Sequence, residues 1–245
     1  MKQYEAVIQV MQENGGYATL GYLNQTVLKV PGCEWNTKTP FASIRRIVQD
    51  SRFFFKIRPG LWALNSYKGR LPPEVLSSDE DQRTTGQGEY SHTYFQGLLV
   101  EVGNLKSYKT TVPSQDRNKL YLNRKLCEIV TVPHVCRFSY DHIVRTAESV
   151  DVIWFNERDM PDSLFEVEHS TDIRNSLLKF VELQDFHASF CVVADEIRRR
   201  EFQTKLSLQA FRPIAKRVGF WSYDDVAELH AKTSELIGIE TRLRL

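Results

Sequence analysis

The sequence predicts an α/β protein of the α+β kind, with a small helical domain first and a larger domain of alternating helices and strands after it. In the N-terminal part, apolar residues recur at helical spacing. Further on, short runs rich in β-branched and aromatic residues predict buried strands between amphipathic helices. A chain of 245 residues with 42% hydrophobic residues suits two modest domains or one large one.

A polar stretch separates the two regions. The segment "SSDEDQRTTGQGEYS" (77–91) is charged and nearly free of large apolar residues, and "GRLPPE" just before it contains residues that interrupt regular structure. We therefore predict an N-terminal domain at residues 1–66, a linker at 67–90 and a second domain at 91–245.

The net charge of +1 is unevenly distributed along the chain. Residues 1–70 contain ten Lys and Arg against four Asp and Glu, and the remainder is acidic. This asymmetry indicates a basic module that meets a polyanion, joined to an acidic module. The alternative is a chance distribution of surface charge.

Composition also excludes several classes of protein. No apolar run is long enough for a transmembrane helix, and the N-terminal segment "MKQYEAVIQVMQENGG" predicts an amphipathic helix rather than a signal peptide. The four cysteines form no CxxC pair, which argues against structural zinc and is typical of buried thiols in a reducing compartment. We expect a cytoplasmic protein with no membrane partner.

The N-terminal domain has the order of elements of a winged helix-turn-helix. Residues 2–14 predict a first helix, Thr19 is a candidate N-cap of a second, and Thr39 followed by Pro40 opens a third. Two short strands, "FFFKIR" and "GLWALN", follow with a turn at Pro59-Gly60.

The segment "KTPFASIRRIVQDSRFFFKIRPGLWAL" (38–64) resembles the HARE-HTH group of winged helices. That resemblance implies binding of double-stranded DNA, with the third helix in the major groove. Winged helices also dock proteins, and an Arg-Arg pair can be merely solvated. The polar residues expected to face DNA are Lys38, Thr39, Ser43, Arg45, Arg46 and, at the wing, Arg58.

The second domain contains a short acidic motif on predicted strands. In "FEVEHS" (165–170), Glu166 and Glu168 are two residues apart, so on a strand both point to the same face. Asp151 begins the preceding apolar strand, "VDVIWF". Like charges so close require a cation or a shared proton, and hard oxygen ligands suit Mg²⁺ or Mn²⁺. A solvated edge strand is the alternative.

The segment "VDVIWFNERDMPDSLFEVEHS" (150–170) resembles the PD-(D/E)XK nuclease superfamily. The resemblance implies a restriction-endonuclease-like, three-layer α/β domain with catalytic and metal-binding acids at Asp151 and Glu166. It implies a further metal-binding acid, Glu101, on the preceding helix. The family's lysine position holds Glu168 here, a further candidate catalytic residue that can bind a second cation or act as a base for water. Lys179 on the following helix is the candidate replacement for that lysine.

Together these patterns predict a metal-dependent DNA endonuclease of the restriction or phage-defence type. A catalytically inactive DNA-binding regulator or assembly subunit is the alternative, since Glu168 does not supply the usual positive charge. RNA as the substrate is a third possibility. One site cuts one strand, so double-strand cleavage implies a homodimer or sequential nicks. A co-encoded methyltransferase or other defence protein is the implied partner.

Overall fold

The computed structural model describes residues 1–76 and 87–243, the side chains of 87–90 excepted. The helices are Gln3–Glu13 (α1), Leu20–Thr26 (α2), Pro40–Val48 (α3), Pro73–Leu76 (α4), Gln87–Leu105 (α5), Asp141–Ala147 (α6), Ile173–Glu182 (α7), Arg199–Leu206 (α8) and Tyr223–Leu243 (α9). The strands are Tyr17–Thr19 (β1), Phe54–Arg58 (β2), Leu61–Leu64 (β3), Lys109–Thr111 (β4), Leu120–Tyr121 (β5), Arg124–Lys125 (β6), Val152–Phe155 (β7), Pro161–Glu168 (β8), Ser189–Ala194 (β9) and Val218–Ser222 (β10). This mixture of helices and sheets confirms the predicted α+β class.

The chain forms two compact units that do not coincide with the predicted domains. One unit contains Met1–Asp81 together with Ala227–Leu245, and the other contains Gln82–Val226. Residues 227–245 were predicted to belong to the second domain. The structure groups them with the first because Ala231 of α9 lies in the core formed by α1, α2 and α3.

The first unit packs α1, α2 and α3 against the sheet β1-β3-β2. Thr19 caps α2 as predicted, accepting a hydrogen bond from the Tyr22 backbone N–H, and Pro40 begins α3. Thr39 stands at the N-cap position of α3, but its side chain makes no capping bond. The β2–β3 turn contains Gly60 at a φ of 77°, a conformation that glycine adopts without strain.

Part of the predicted linker is packed into this unit. Leu71 and Val75 are buried, and residues 73–76 form the short helix α4. Residues 77–86 of the predicted linker lie outside the described residues.

The second unit is built on a five-stranded mixed sheet of order β10-β9-β8-β7-β4. Strands β8, β9 and β10 run parallel, whereas β7 pairs antiparallel with both β8 and β4. Apolar residues of α6, α7 and α8 cover one face of the sheet, as in the cluster of Ala147, Phe180 and Phe202. Helix α5 packs against β4, β7 and β8, where the Trp154 indole N–H donates to the Leu99 carbonyl at 3.0 Å.

Strand β8 therefore lies in the middle of the sheet, so Glu166 and Glu168 are in a buried environment. Alternation along the strand directs Leu164, Glu166 and Glu168 to the α7 face, and Phe165 and Val167 to the opposite face.

Among the described residues, no helix has both the length and the apolar character needed to cross a bilayer.

Candidate functional site

The antiparallel pairing of β7 with β8 brings Asp151 to Glu166. Val152 is opposite Phe165 in the register, and Asp151 immediately precedes Val152. The Asp151 carboxylate oxygen Oδ2 accepts a hydrogen bond from the Val167 backbone N–H at 2.8 Å. The hairpin arrangement expected from the sequence is thus present, and it places the two carboxylates side by side.

Glu166 and Glu168 are both buried, with exposed fractions of 3% and 5%. The Ser176 hydroxyl of α7 hydrogen-bonds to both carboxylates, so the two side chains share one face as predicted. Glu168 also accepts a hydrogen bond from the Thr171 hydroxyl. The alternative of a solvated edge strand is wrong, because β8 has a neighbour on each side and both carboxylates are shielded from water.

Lys179 of α7 provides a positive charge at Glu166. Its Nζ donates to both Glu166 carboxylate oxygens at 2.9 Å and to the Ser149 carbonyl at 2.8 Å. Burial raises the pKa of Glu166 well above its usual value, and the nearby Asp151 raises it further. Lys179 acts in the opposite direction without cancelling these effects. Burial and the neighbouring Asp151 therefore make the ionised form of Glu166 unfavourable at this site, even with Lys179 beside it.

Two residues that the sequence analysis missed lie against Asp151. His92 Nε2 of α5 is 3.1 Å from Asp151 Oδ2, and Gln96, one turn later, donates through Nε2 to the Asp151 carbonyl at 3.3 Å. The same Gln96 nitrogen donates to the buried Asp116 carboxylate at 2.9 Å. Burial alone would lower the pKa of His92, but the hydrogen bond and charge of Asp151 outweigh burial and raise it. The available signal was a polar i, i+4 pair within a largely apolar helix.

Among the described residues, hydrogen bonds join the predicted metal ligand Glu101 to β5 and β6. Its carboxylate accepts hydrogen bonds from the Tyr121 hydroxyl at 2.9 Å and from Arg124 at 2.7 Å. Glu101 is nine residues beyond His92 on α5, which corresponds to about 13 Å along the helix axis. Within residues 1–76 and 91–243, no three His, Cys, Asp or Glu side chains form a ready-made metal-binding group.

The remaining donors nevertheless fit a hard divalent cation. Mg²⁺ is typically bound through one or two carboxylates while keeping several waters. Asp151 and Glu166 supply such a pair, and a bound cation would offset both the burial and the Asp151 charge that raise the pKa of Glu166.

In the first unit, most of the predicted DNA-facing residues are accessible. Lys38, Thr39 and Arg46 are exposed, and Ser43 and Arg45 are half-buried. The expectation that Arg58 lies exposed at the wing is wrong, because its side chain is 6% exposed and donates to the Val75 carbonyl at 3.2 Å. A register irregularity between Lys56 and Arg58 accompanies this inward orientation.

Comparison with known proteins identifies a matching protein family and a similar curated protein. The family described as "Type II restriction enzyme NmeDI C-terminal domain" matches residues 70–243. The type II restriction enzyme NmeDI of Neisseria meningitidis serogroup C is 25% identical over 153 residues, which cover 57% of this chain and 42% of that protein. The chain thus matches less than half the length of this curated relative. No solved structure matches the chain significantly.

The family match extends over well more than half of the chain and includes the strands and helices that carry Asp151, Glu166 and Lys179. The chain therefore belongs to the family of the type II restriction enzyme NmeDI C-terminal domain.

Proposed function

We propose that the protein is a metal-dependent endodeoxyribonuclease of the type II restriction kind, directed to duplex DNA by its first unit. The observation that carries the proposal is the buried cluster of Asp151, Glu166 and Lys179 on and beside the central strand β8. A group of buried, mutually repelling carboxylates is costly for folding, and such groups concentrate at sites of chemistry. The relative's name, a type II restriction enzyme, supports the same activity.

Asp151 and Glu166 are the residues proposed to hold Mg²⁺ or Mn²⁺. A bound cation of this kind would polarise the phosphodiester and lower the pKa of an attacking water. Lys179 lies within hydrogen-bond reach of Glu166, where its ammonium group can hold the nucleophilic water and offset charge that develops on the phosphate. Glu168, which accepts from two hydroxyls, helps to fix Ser176 and Thr171 beside the site.

The first unit is proposed to supply affinity for DNA through helix α3. Lys38 and Thr39 immediately precede α3, and Arg45 and Arg46 lie in its last turn, so cations and hydrogen-bonding groups are present at both ends of the helix. Such side chains contact phosphates and base edges in the major groove.

A second candidate function is a DNA-binding subunit without catalytic activity. The observation that favours it is Glu168, which stands where the PD-(D/E)XK pattern has a lysine and whose carboxylate is already bound by two hydroxyls. In that case Lys179 would only neutralise Glu166 within the fold.

Nicking and linearisation of supercoiled plasmid in Mg²⁺ or Mn²⁺ tests the proposal. We expect Asp151→Asn and Glu166→Gln each to lower the cleavage rate by at least about a hundredfold, because a metal-site carboxylate contributes several kcal/mol to the transition state. Lys179→Met is expected to have a similar effect. Glu182→Gln and Lys216→Met, at exposed positions of the same unit, are the matched controls.

The outcomes separate the two candidates. DNA binding by the wild type without cleavage in either metal would favour the non-catalytic subunit. Cleavage that survives both carboxylate substitutions would reject the assigned site.

We also propose that two chains act together on one DNA and that a methyltransferase protects the host DNA. Each chain carries one candidate site, so cutting both strands at once requires two chains on one DNA. A restriction nuclease also requires host DNA to be protected, which makes a modifying methyltransferase the expected companion.

A further inference from the structure

We propose that His92 and Gln96 of α5 are positioning residues that hold Asp151 in the orientation needed for metal binding. This inference rests on the proposed nuclease function and gives α5 a positioning role, whereas the sequence had predicted a metal ligand, Glu101, on this helix. The two residues are four apart, so they lie on the same side of the helix and reach the same neighbour. One contacts the Asp151 side chain and the other its backbone.

The hydrogen bonds on Asp151 are unequal between its two carboxylate oxygens. Oδ2 accepts from the Val167 N–H and lies 3.1 Å from His92 Nε2. An ionised carboxylate only accepts hydrogen bonds, so the imidazole proton between them belongs to Nε2. Two donors on Oδ2 fix the rotation of the carboxylate. Among the residues that the structure describes, none hydrogen-bonds to Oδ1, so that oxygen can face a cation. Hydrogen bonds of this kind orient metal ligands and tune their affinity.

Gln96 hydrogen-bonds to the backbone of Asp151, whereas His92 contacts its side chain. Its amide is fully buried and bridges the Asp151 carbonyl to Asp116, which is itself buried and paired with Lys119 at 2.8 Å. Among the described residues, Gln96 Oε1 has no hydrogen-bond partner. A buried amide with an unsatisfied oxygen is unfavourable for folding, and an apolar residue would avoid it. Retaining Gln96 is explained if the position of Asp151 depends on it.

The test measures Mn²⁺ affinity directly, by electron paramagnetic resonance of free Mn²⁺ in titrations of the full chain without DNA. We expect His92→Leu and Gln96→Leu each to weaken Mn²⁺ binding about 10- to 100-fold, the usual effect of removing a residue that supports a metal ligand. His92→Gln keeps an N–H donor and should restore most of the affinity. His187→Leu, at an exposed histidine of the same unit, is the control.

Plasmid cleavage provides the second readout. In His92→Leu the Mg²⁺ concentration for half-maximal cleavage should rise more than the rate at saturating Mg²⁺ falls. If His92→Leu does not fold, as judged by circular dichroism, Gln96→Leu carries the same test.

Each outcome has a distinct meaning. Wild-type affinity for Mn²⁺ in both leucine variants would overturn this inference while leaving the nuclease proposal intact. A loss in His92→Leu that His92→Gln does not recover would also overturn it, because the hydrogen bond would then not be the cause. Absence of both Mn²⁺ binding and cleavage in the wild type would overturn both proposals.

Discussion

Glu166 illustrates how far single residues could be interpreted before the structure. Its spacing from Glu168 correctly placed both side chains on one face, since alternation along a strand is a local property. The contact with Lys179 was anticipated only through a family resemblance, because Lys179 is off the apolar side of its helix. His92 was missed, since its partner Asp151 is 59 residues away and only the tertiary fold brings them together.

The ionisation of Glu166 gives a pH-dependent prediction for the metal-free protein. Its folded-state pKa is raised, so the folded chain binds this proton more tightly than the unfolded chain does. The carboxyl therefore costs no stability at a pH below its unfolded pKa. Its contribution becomes unfavourable as pH rises from there through the folded-state pKa.

Glu166→Gln should thus unfold at a higher temperature than the wild type at pH 8 in EDTA, with a difference that narrows toward pH 5. For a protein of this size, about 1 kcal/mol corresponds to about 2–4 °C in the midpoint. Scanning calorimetry across this pH range measures the difference, with Glu182→Gln as the control. A gap that widens as pH falls would contradict the assigned direction.

Among the elements, the long amphipathic helices and the apolar strands could be predicted from the sequence. Helix caps and short strands that depend on tertiary contacts could not. For helix α7, the segment Ser170-Thr171-Asp172 contains three possible N-caps, and in the structure Asp172 accepts the capping bond from the Arg174 N–H. All three residue types cap helices, so the pattern alone could not choose among them. The three-residue strand β1 was not predicted, because it exists only through its pairing with β3.

Helix α5 depends on a close approach to the sheet at Gly103. A Cβ atom at this position would lie 2.6 Å from both Thr110 Cγ2 and Trp154 Nε1. Gly103→Ala should therefore destabilise the protein, because overpacking typically costs about 1–3 kcal/mol while alanine recovers roughly 1 kcal/mol of helix propensity. Urea unfolding measures the change, and Gly69→Ala, which meets no atom within 4 Å, is the control. A rise in stability for Gly103→Ala would show that the contact with β4 and β7 can relax.

For the molecule as a whole, composition and the polar stretch 77–91 predicted two domains. They did not predict which segments of the chain belong to each unit. The linker prediction used local sequence, and local sequence contains no information about which core a distant helix completes. Helix α9 begins after β10, yet from Ala227 onward it belongs to the first unit. The Asn24 side chain donates to the Ala231 carbonyl at 3.2 Å, a contact across 207 residues of sequence.

Gly21 tests the packing of α9 within the first unit. A Cβ at Gly21 would lie 2.4 Å from His230 Cε1 and 2.8 Å from Ser234 Oγ, both on α9. Since both side chains are buried, Gly21→Ala should displace the helix and weaken its attachment. Hydrogen exchange of backbone amides in residues 227–243 should then accelerate by about tenfold or more, whereas Gly69→Ala should leave it unchanged. Unaltered protection in Gly21→Ala would mean that α2 does not hold this segment.

The position of α9 at the far end of the sequence has a consequence for synthesis on the ribosome. Residues 1–81 emerge before the second unit, but Ala231, which fills part of the core of the first unit, is translated only after residues 82–226. A premature stop codon or proteolytic cut after residue 226 would spare every residue of the Asp151 site while removing one wall of the module proposed to find DNA. Such a product would retain the proposed cleavage site and lose the proposed DNA-targeting module.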